Sequence, residues 1–428
     1  MKATKGKTQA MKPAVMGGSP AVVLPAPVWP VTGELEATWM DAVVRSGQWS
    51  WLGLHETAFC SEYAAFIGSK YCLALANGTV TLQCALQAVG VEPGDEVVVP
   101  GLTWCASAQA ALDVGANVVF ADVDRETLCL DPKAFETAIT RRTKAVMPVH
   151  LYGCMCDMDA IMSIARKHKV KVVEDVAHQH GSQWRGQGAG AIGDAGSFSF
   201  QQSKVLTCGE GGAVTTNDEE VYKIVYALKQ VGWGPDGKPA NRYGHNYRIT
   251  EMQAVLLRGG LTRLTEQTLL REANAALLRA GLERLGGPLR AARRDPRVTR
   301  QAYYAMTLCY DARQADGLPR AAYQAALAAE GCGLGGTYWP VYRAPLLNLY
   351  DRTSPVPYRD TARIQNYRRL KLPNTEKAVN ETALLLSHPR LLGSRDYTAQ
   401  LLAAVEKVNA NLKTIKAWWR KQEAKKAK

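Results

Sequence analysis

The residue in this chain best placed for covalent chemistry is Lys204, in the run Ser197-Phe198-Ser199-Phe200-Gln201-Gln202-Ser203-Lys204 that leads into Gly209-Glu210-Gly211-Gly212. It follows an apolar stretch and is ringed by small and polar side chains, whereas most lysines sit on solvated faces. Partial desolvation lowers a lysine's proton affinity and leaves a neutral, nucleophilic amine, as Schiff-base chemistry requires. Three more segments carry chemistry-bearing residues. In Val172-Val173-Glu174-Asp175-Val176-Ala177-His178 an apolar run ends in Asp175. A carboxylate at the end of a buried strand needs a partner; a protonated ring nitrogen would serve, and the alternative is an acid that caps the next element. Asn77-Gly78-Thr79 is a small-residue turn where a helix could begin, so it either presents N–H groups to an anion or caps the helix. In Gly101-Leu102-Thr103-Trp104, Trp104 could stack on a planar heterocycle or serve in packing.

Each of these segments follows or ends a stretch with strand character. Short β-branched runs at 71–76, 96–100, 117–121, 145–150, 171–175, 197–200 and 212–215 alternate with helical patterns at 79–89, 107–114, 132–139 and 158–168. Several runs are apolar throughout, which suggests burial on both faces. The alternation predicts an α/β fold with a large, mostly parallel seven-stranded sheet between helices. In such sheets ligands sit beyond the carboxyl ends of the strands, where the four segments fall. A long helical pattern over 248–285 leads through an arginine-rich loop (290–300) to a strand at 302–310, a helix at 320–330, a glycine-rich turn and a helix at 396–412. The expected division is an arm (1–30), a large domain (31–285), a smaller C-terminal α+β domain (286–412) and a basic tail (413–428).

Composition narrows the function classes. The formal charge of +13 is concentrated at the ends, with four lysines and no acid in residues 1–12 and seven Lys or Arg against one Glu in 413–428, so the 400 residues between carry only +3. The tails read as frayed and solvated, and nucleic acid is not an expected partner. No apolar run approaches the ~20 residues that span a bilayer, and prolines interrupt the apolar segment at 21–24, so neither a membrane span nor a secretory signal is expected. The ten cysteines read as reduced thiols, which points to the cytoplasm. Cys154 and Cys156 have no second pair at zinc-ligand spacing, so no metal is expected; a redox pair is the other reading.

Taken together and in this order, the runs SFSFQQSKVLTCGEGGA and VEDVAHQHGSQWRG resemble the DegT/DnrJ/StrS sugar aminotransferases, fold-type I enzymes dependent on pyridoxal 5'-phosphate, over roughly residues 20–410. The aminocyclitol aminotransferases of the glutamine:scyllo-inosose type are the most similar branch, and the 3-amino-5-hydroxybenzoate synthases are similar too. The resemblance implies that Lys204 carries the cofactor as a Schiff base and that Asp175 keeps the pyridine nitrogen protonated. It further implies that Trp104 and Ala177 lie against the two ring faces, that His178 (glutamine in many relatives) meets the ring hydroxyl, and that Gly78, Thr79 and Ser199 hold the phosphate. Asn246 matches the position that reaches the phosphate from a neighbouring subunit, which implies a homodimer with shared sites. Beside these, His150 and Tyr152, and Tyr342 and Arg343 in the aromatic segment 338–343, are candidates for substrate contact or for structural roles. Arg248 and Arg343 have the chemistry to hold a donor carboxylate. The expected reaction moves an amino group from glutamine or glutamate to a keto-cyclitol or keto-sugar by a ping-pong route. Aromatizing dehydration is the second enzymatic reading. The intact Lys204, Asp175 and Ser199 argue against a non-catalytic regulator, and the intact lysine against a sugar 3-dehydratase.

Overall fold

A computed structural model describes residues 11–347, 349 and 365–426. Residues 1–10 and 427–428 of the two basic tails lie outside the described residues. In chain order the strands are β1 (Tyr71–Leu75), β2 (Glu96–Pro100), β3 (Asn117–Ala121), β4 (Thr143–Val146), β5 (Lys171–Asp175), β6 (Gln183–Trp184), β7 (Gln187–Gly188), β8 (Ala195–Ser199), β9 (Gly212–Thr216), β10 (Leu289–Ala291), β11 (Val298–Arg300), β12 (Ala305–Tyr310) and β13 (Ala383–Ser387). The helices are α1 (Glu34–Ser46), α2 (Leu54–Ile67), α3 (Gly78–Ala88), α4 (Ala106–Asp113), α5 (Pro132–Ala138), α6 (Met158–His168), α7 (Glu219–Lys229), α8 (Glu251–Leu285), α9 (Arg320–Ala329), α10 (Pro373–Lys377), α11 (Arg395–Ala410) and α12 (Leu412–Lys426).

Seven strands form one sheet in the order β1-β9-β8-β5-β4-β2-β3. All pairs in it are parallel except the two made by β9, which runs against both β1 and β8. Helices cover both faces. Val98, Val146 and Val172 enter one apolar core, while Val97, Val99 and Val173 enter the other. This burial explains why the strands read as unbroken apolar runs. It also sends the carboxyl ends of β1, β2, β5 and β8 to the same edge, because all four run in the same direction. The strand expected at 145–150 stops pairing at Val146. Pro148 has no N–H to give the ladder, and the chain rejoins it only at an isolated bridge between Val149 and Asp175.

Beyond α8, β10, β12 and β13 form a second, three-stranded antiparallel sheet, with β12 in the middle, and its core includes residues of α8, α9 and α11. β11 leaves that sheet to pair with β6 of the large domain's β6–β7 hairpin. The C-terminal tail differs from the sequence expectation. Residues 412–426 form a helix with Ile415 fully buried and Trp418 and Trp419 against the small domain's core. Leu412, Ile415, Trp418 and Trp419 give this otherwise charged helix an apolar face that docks on the core. The N-terminal arm is tied down as well. The buried Glu330 carboxylate accepts from the Ala14 N–H (2.7 Å), the Ala21 N–H (2.9 Å) and Lys407 Nζ (2.9 Å).

That carboxylate joins the arm, α9 and α11 at one point. Glu330→Ala leaves the buried Lys407 ammonium unpaired, and loss of one partner of a buried pair costs about 3–5 kcal/mol. The expected outcome is an earlier denaturant midpoint and rapid protease cleavage of the 14–21 segment, measured by urea titration and limited proteolysis.

Candidate active site

A cleft of about 800 Å³ opens at the sheet edge where β1, β2, β5 and β8 end. Its lining includes Gly78, Thr79, Trp104, Asp175, Ala177, His178, Ser199 and Lys204, so the structure brings together all but one of the residues that the resemblance implied for the cofactor. The exception is Asn246, which is exposed and does not line the cleft of its own chain.

One end of the cleft suits an anion. Asn77 caps α3, its Oδ1 accepting from the N–H groups of Thr79 and Val80 (3.0 Å each). The capping reading holds, with Asn77 as the cap, and its neighbours Gly78 and Thr79 line the cleft. With two N–H groups taken by the cap, the hydroxyls of Thr79 and Ser199 remain as donors, at the positive end of the α3 dipole. Residue 78 must be glycine here. A Cβ on it would lie 2.6 Å from Ser199 Cβ, so the start of α3 and the end of β8 can meet only without a side chain.

At the centre, Asp175 ends β5. Ser107 Oγ donates to its Oδ2 (2.8 Å), Thr103 Oγ1 shares a hydrogen bond with that hydroxyl (2.9 Å), and the Ala177 N–H donates to Oδ1 (3.2 Å). Burial nevertheless raises the proton affinity of Asp175 above the carboxylate norm, the Ser107 and Ala177 bonds and the Lys204 charge opposing it. Lys204 is 8% exposed. Burial lowers its pKa to about 8, against the upward pull of Asp175 and Glu210. Its ammonium also sits 4.7 Å from the centre of the Tyr304 ring.

An aromatic wall closes the far side. His178 stacks on Tyr304 at 3.9 Å and 9° between planes. Its Nδ1 accepts the Tyr152 N–H (3.1 Å), so the neutral ring carries its proton on Nε2, 3.3 Å from the Tyr338 hydroxyl. Burial, then the Lys204 charge, depresses His178 well below the usual imidazole range and keeps that neutral form. Trp104 stands at the mouth, 48% exposed and 5.3 Å from Tyr338.

This set fits pyridoxal phosphate on its own chemistry. Asp175 is a buried acid beside a single amine and can take a protonated ring nitrogen as a further partner. Lys204 could meet the aldehyde, Thr79 and Ser199 the phosphate, the His178 Nε2–H the ring hydroxyl, and Trp104 and Ala177 the ring faces. Among the described residues no cluster of three or more His, Cys, Asp or Glu could hold a metal.

The expected substrate contacts need correction. His150 is fully buried, its Nε2 on Glu174 (3.0 Å) and its Nδ1 accepting the Cys156 N–H (3.1 Å), so it has no group left for a ligand. Glu174 also gathers the N–H groups of Gly190, Ile192 and Gly193, so this pair secures the turn before β8. Tyr152 is buried behind the wall and accepts the Tyr338 N–H on its hydroxyl (2.7 Å). Tyr342 is buried in a core and donates to Glu376 (2.9 Å). Arg343 is occupied by the carbonyls of Tyr367, Arg368 and Leu370, away from the cleft. Arg248 contacts Gln230 and the Trp51 ring and does not line the cleft of its own chain. Sequence reasoning missed Ser107, Tyr304 and Glu210 as lining residues. Tyr338 lay inside the flagged 338–343 segment, whereas Tyr304 and Ser107 reach the cleft only through tertiary packing.

Residues 30–394 match the DegT/DnrJ/EryC1/StrS aminotransferase family. The chain is 39% identical over 418 residues to the L-glutamine:2-deoxy-scyllo-inosose aminotransferase of Streptomyces lividus, covering 92% of this chain and 97% of the relative. Among solved structures it resembles 3-amino-5-hydroxybenzoic acid synthase with a TM-score of 0.81 and 32% identity, covering 92% of this chain and all of the other. An aminotransferase from Psychrobacter cryohalolentis matches with a TM-score of 0.80 and 33% identity, covering 91% and 100%.

Two outcomes follow from the geometry. Only the neutral amine attacks an aldehyde, so the rate at which the cofactor-free protein takes up pyridoxal phosphate should rise with pH and level off above about 8. A spectrophotometric pH series measures this, and the level region should begin well below that of a free lysine. Gly78→Ala should weaken cofactor affinity by about tenfold or more, because the new methyl must push α3 and β8 apart at the phosphate end; equilibrium dialysis reads the change.

Proposed function

Because the chain belongs to the DegT/DnrJ/EryC1/StrS aminotransferase family, we propose that this pyridoxal-phosphate-dependent enzyme moves the amino group of glutamine to the ketone of a keto-cyclitol of the scyllo-inosose type. The observation that carries the reading is the pairing of a desolvated Lys204 amine with a buried Asp175 carboxylate in one cleft. The named relatives, 36–39% identical over most of the chain, supply the substrate class.

When bound, pyridoxal phosphate supplies an aldehyde carbon to carry the nitrogen and a ring that takes up the electron pair released at the donor's α-carbon. Lys204 is the nucleophile toward that aldehyde. With the cofactor bound, the freed Lys204 Nζ would be the base that removes the donor's α-proton and the acid that delivers it to the cofactor carbon carrying the nitrogen. Asp175 would keep a proton on the ring nitrogen, the His178 Nε2–H would meet the ring hydroxyl, and Thr79 and Ser199 would anchor the phosphate. Donor and acceptor use the same cleft in turn, which is the ping-pong order.

We further place the active enzyme in a homodimer in which Asn246 and Arg248 reach the cleft of a second copy. Support comes from their absence from their own cleft and from the exposed Trp49, Trp51 and Leu52 near Arg248. Ten free thiols favour a reducing compartment, the cytoplasm. No described helix is long and apolar enough to cross a membrane.

Incubating the loaded protein with scyllo-inosose and glutamine should yield an amino-inositol. Lys204→Ala should reduce the rate by about a thousandfold, the range of a lost general base. An aromatic, dehydrated product would instead favour chemistry of the kind named for the hydroxybenzoate synthase.

A further inference from the structure

Lys204 is held by more than its own burial. The residue before it, Ser203, presents its backbone carbonyl to His388, whose Nε2 lies 3.0 Å away. His388 belongs to the small domain and follows the last residue of β13. Its backbone N–H donates to the carbonyl of Tyr304 (3.1 Å), the residue whose ring lies under the Lys204 ammonium. The triangle closes through the side chains of Ser203 and Tyr304, whose hydroxyl oxygens are 3.1 Å apart. One small-domain residue thus grips both the backbone from which Lys204 springs and the ring on which its amine rests.

The chemistry of His388 suits that grip. A carbonyl can only accept, so the proton must be on Nε2. Burial, followed by the Arg271 charge, lowers the His388 pKa to about 3, with Lys204 and His180 acting in the same direction and the Ser203 carbonyl opposing them. The ring therefore stays neutral at working pH, with a single N–H fixed on the Ser203 side. Trp29 of the N-terminal arm meets the ring edge-on, at 4.6 Å and 87°. Arg271 is fully buried in α8, its guanidinium has no hydrogen-bond partner among the described residues, and it lies over the other ring of the contact, that of Trp29 (5.4 Å). The arm, α8 and the small domain converge on this imidazole, and its one donor goes to the lysine loop.

We propose that His388 is a positioning residue for Lys204, its Nε2–H holding the Ser203 carbonyl and through it the lysine backbone in register with the cleft. The inference rests on the placement of Lys204 as the reacting amine. It makes the small domain, which carries the anchor after β13, part of what positions the lysine.

The test separates the donor from the ring. His388→Phe keeps the edge-on contact with Trp29 and removes the N–H. His388→Gln loses the ring and keeps an N–H at nearly the same reach. His388→Asn, whose amide falls short of the carbonyl, is a second variant without the donor should the Phe variant fail to fold. Competitive acetylation of the cofactor-free protein, read by peptide mass spectrometry, gives the pKa and reactivity of Lys204 independently of turnover. The Phe and Asn variants should shift the Lys204 pKa up toward that of an ordinary lysine and lower kcat about tenfold to a hundredfold, as a misplaced reacting group does, with KM for glutamine little changed. The Gln variant should regain most of both. Parental Lys204 reactivity and kcat in the Phe variant would overturn the proposal, and so would a Gln variant as impaired as the Phe one. Failure of the parent reading would look different, since parental Lys204 would then show no lowered pKa at all.

Discussion

A lysine ammonium gives up much of its hydration when it is buried, and only the neutral amine escapes that cost. The pKa of about 8 at Lys204 corresponds to about 3 kcal/mol in favour of the neutral form, relative to an exposed lysine. Asp175 pulls the other way. A carboxylate at the end of β5 favours a nearby cation, and it is itself pushed toward protonation by burial. The two groups leave the cleft electrostatically incomplete. A ring with a protonated nitrogen and an aldehyde would complete it, the nitrogen giving Asp175 a partner and the aldehyde taking up the amine.

The sheet makes this arrangement affordable. Parallel strands deliver Asn77, Gly101, Asp175 and Ser199 to one edge, so groups far apart in the chain meet without long loops. Behind them, Glu174 and His150 form a buried pair that collects three N–H groups of the turn before β8. A residue that looks functional by type is here spent on fixing the backbone that carries Ser199. The same holds for Tyr152, which orients His178 from one side and Tyr338 from the other. The aromatic wall is therefore held in place by its own hydrogen bonds.

Much of this was legible from sequence, for a physical reason. Strands buried on both faces carry apolar centres, so the runs 97–99, 118–121 and 172–173 mark β2, β3 and β5, whose observed limits match the expected ones. The candidate cofactor residues stood out at the ends of β1, β2, β5 and β8, and the resemblance of their runs gave them roles. What escaped was whatever depends on tertiary packing. The reversed direction of β9 leaves no mark in a five-residue run. The docking of α12 rests on Ile415 and two tryptophans within a strongly basic segment, where charge hides the apolar face. His150, Tyr342 and Arg343 were attractive as strand-end or aromatic-segment residues, yet each is consumed by internal bonds. Ser107 and Tyr304 complete the cleft from a helix and from the small domain, and nothing in their local sequence says so.

The central claim is that one particular amine meets the cofactor, and trapping tests it directly. Reduction of the yellow, cofactor-loaded protein with borohydride, followed by proteolysis and mass spectrometry, should place a pyridoxyl group on the peptide that contains Lys204. A label found instead on another lysine, such as the buried Lys229, or no label on protein that still transfers amino groups, would contradict the account.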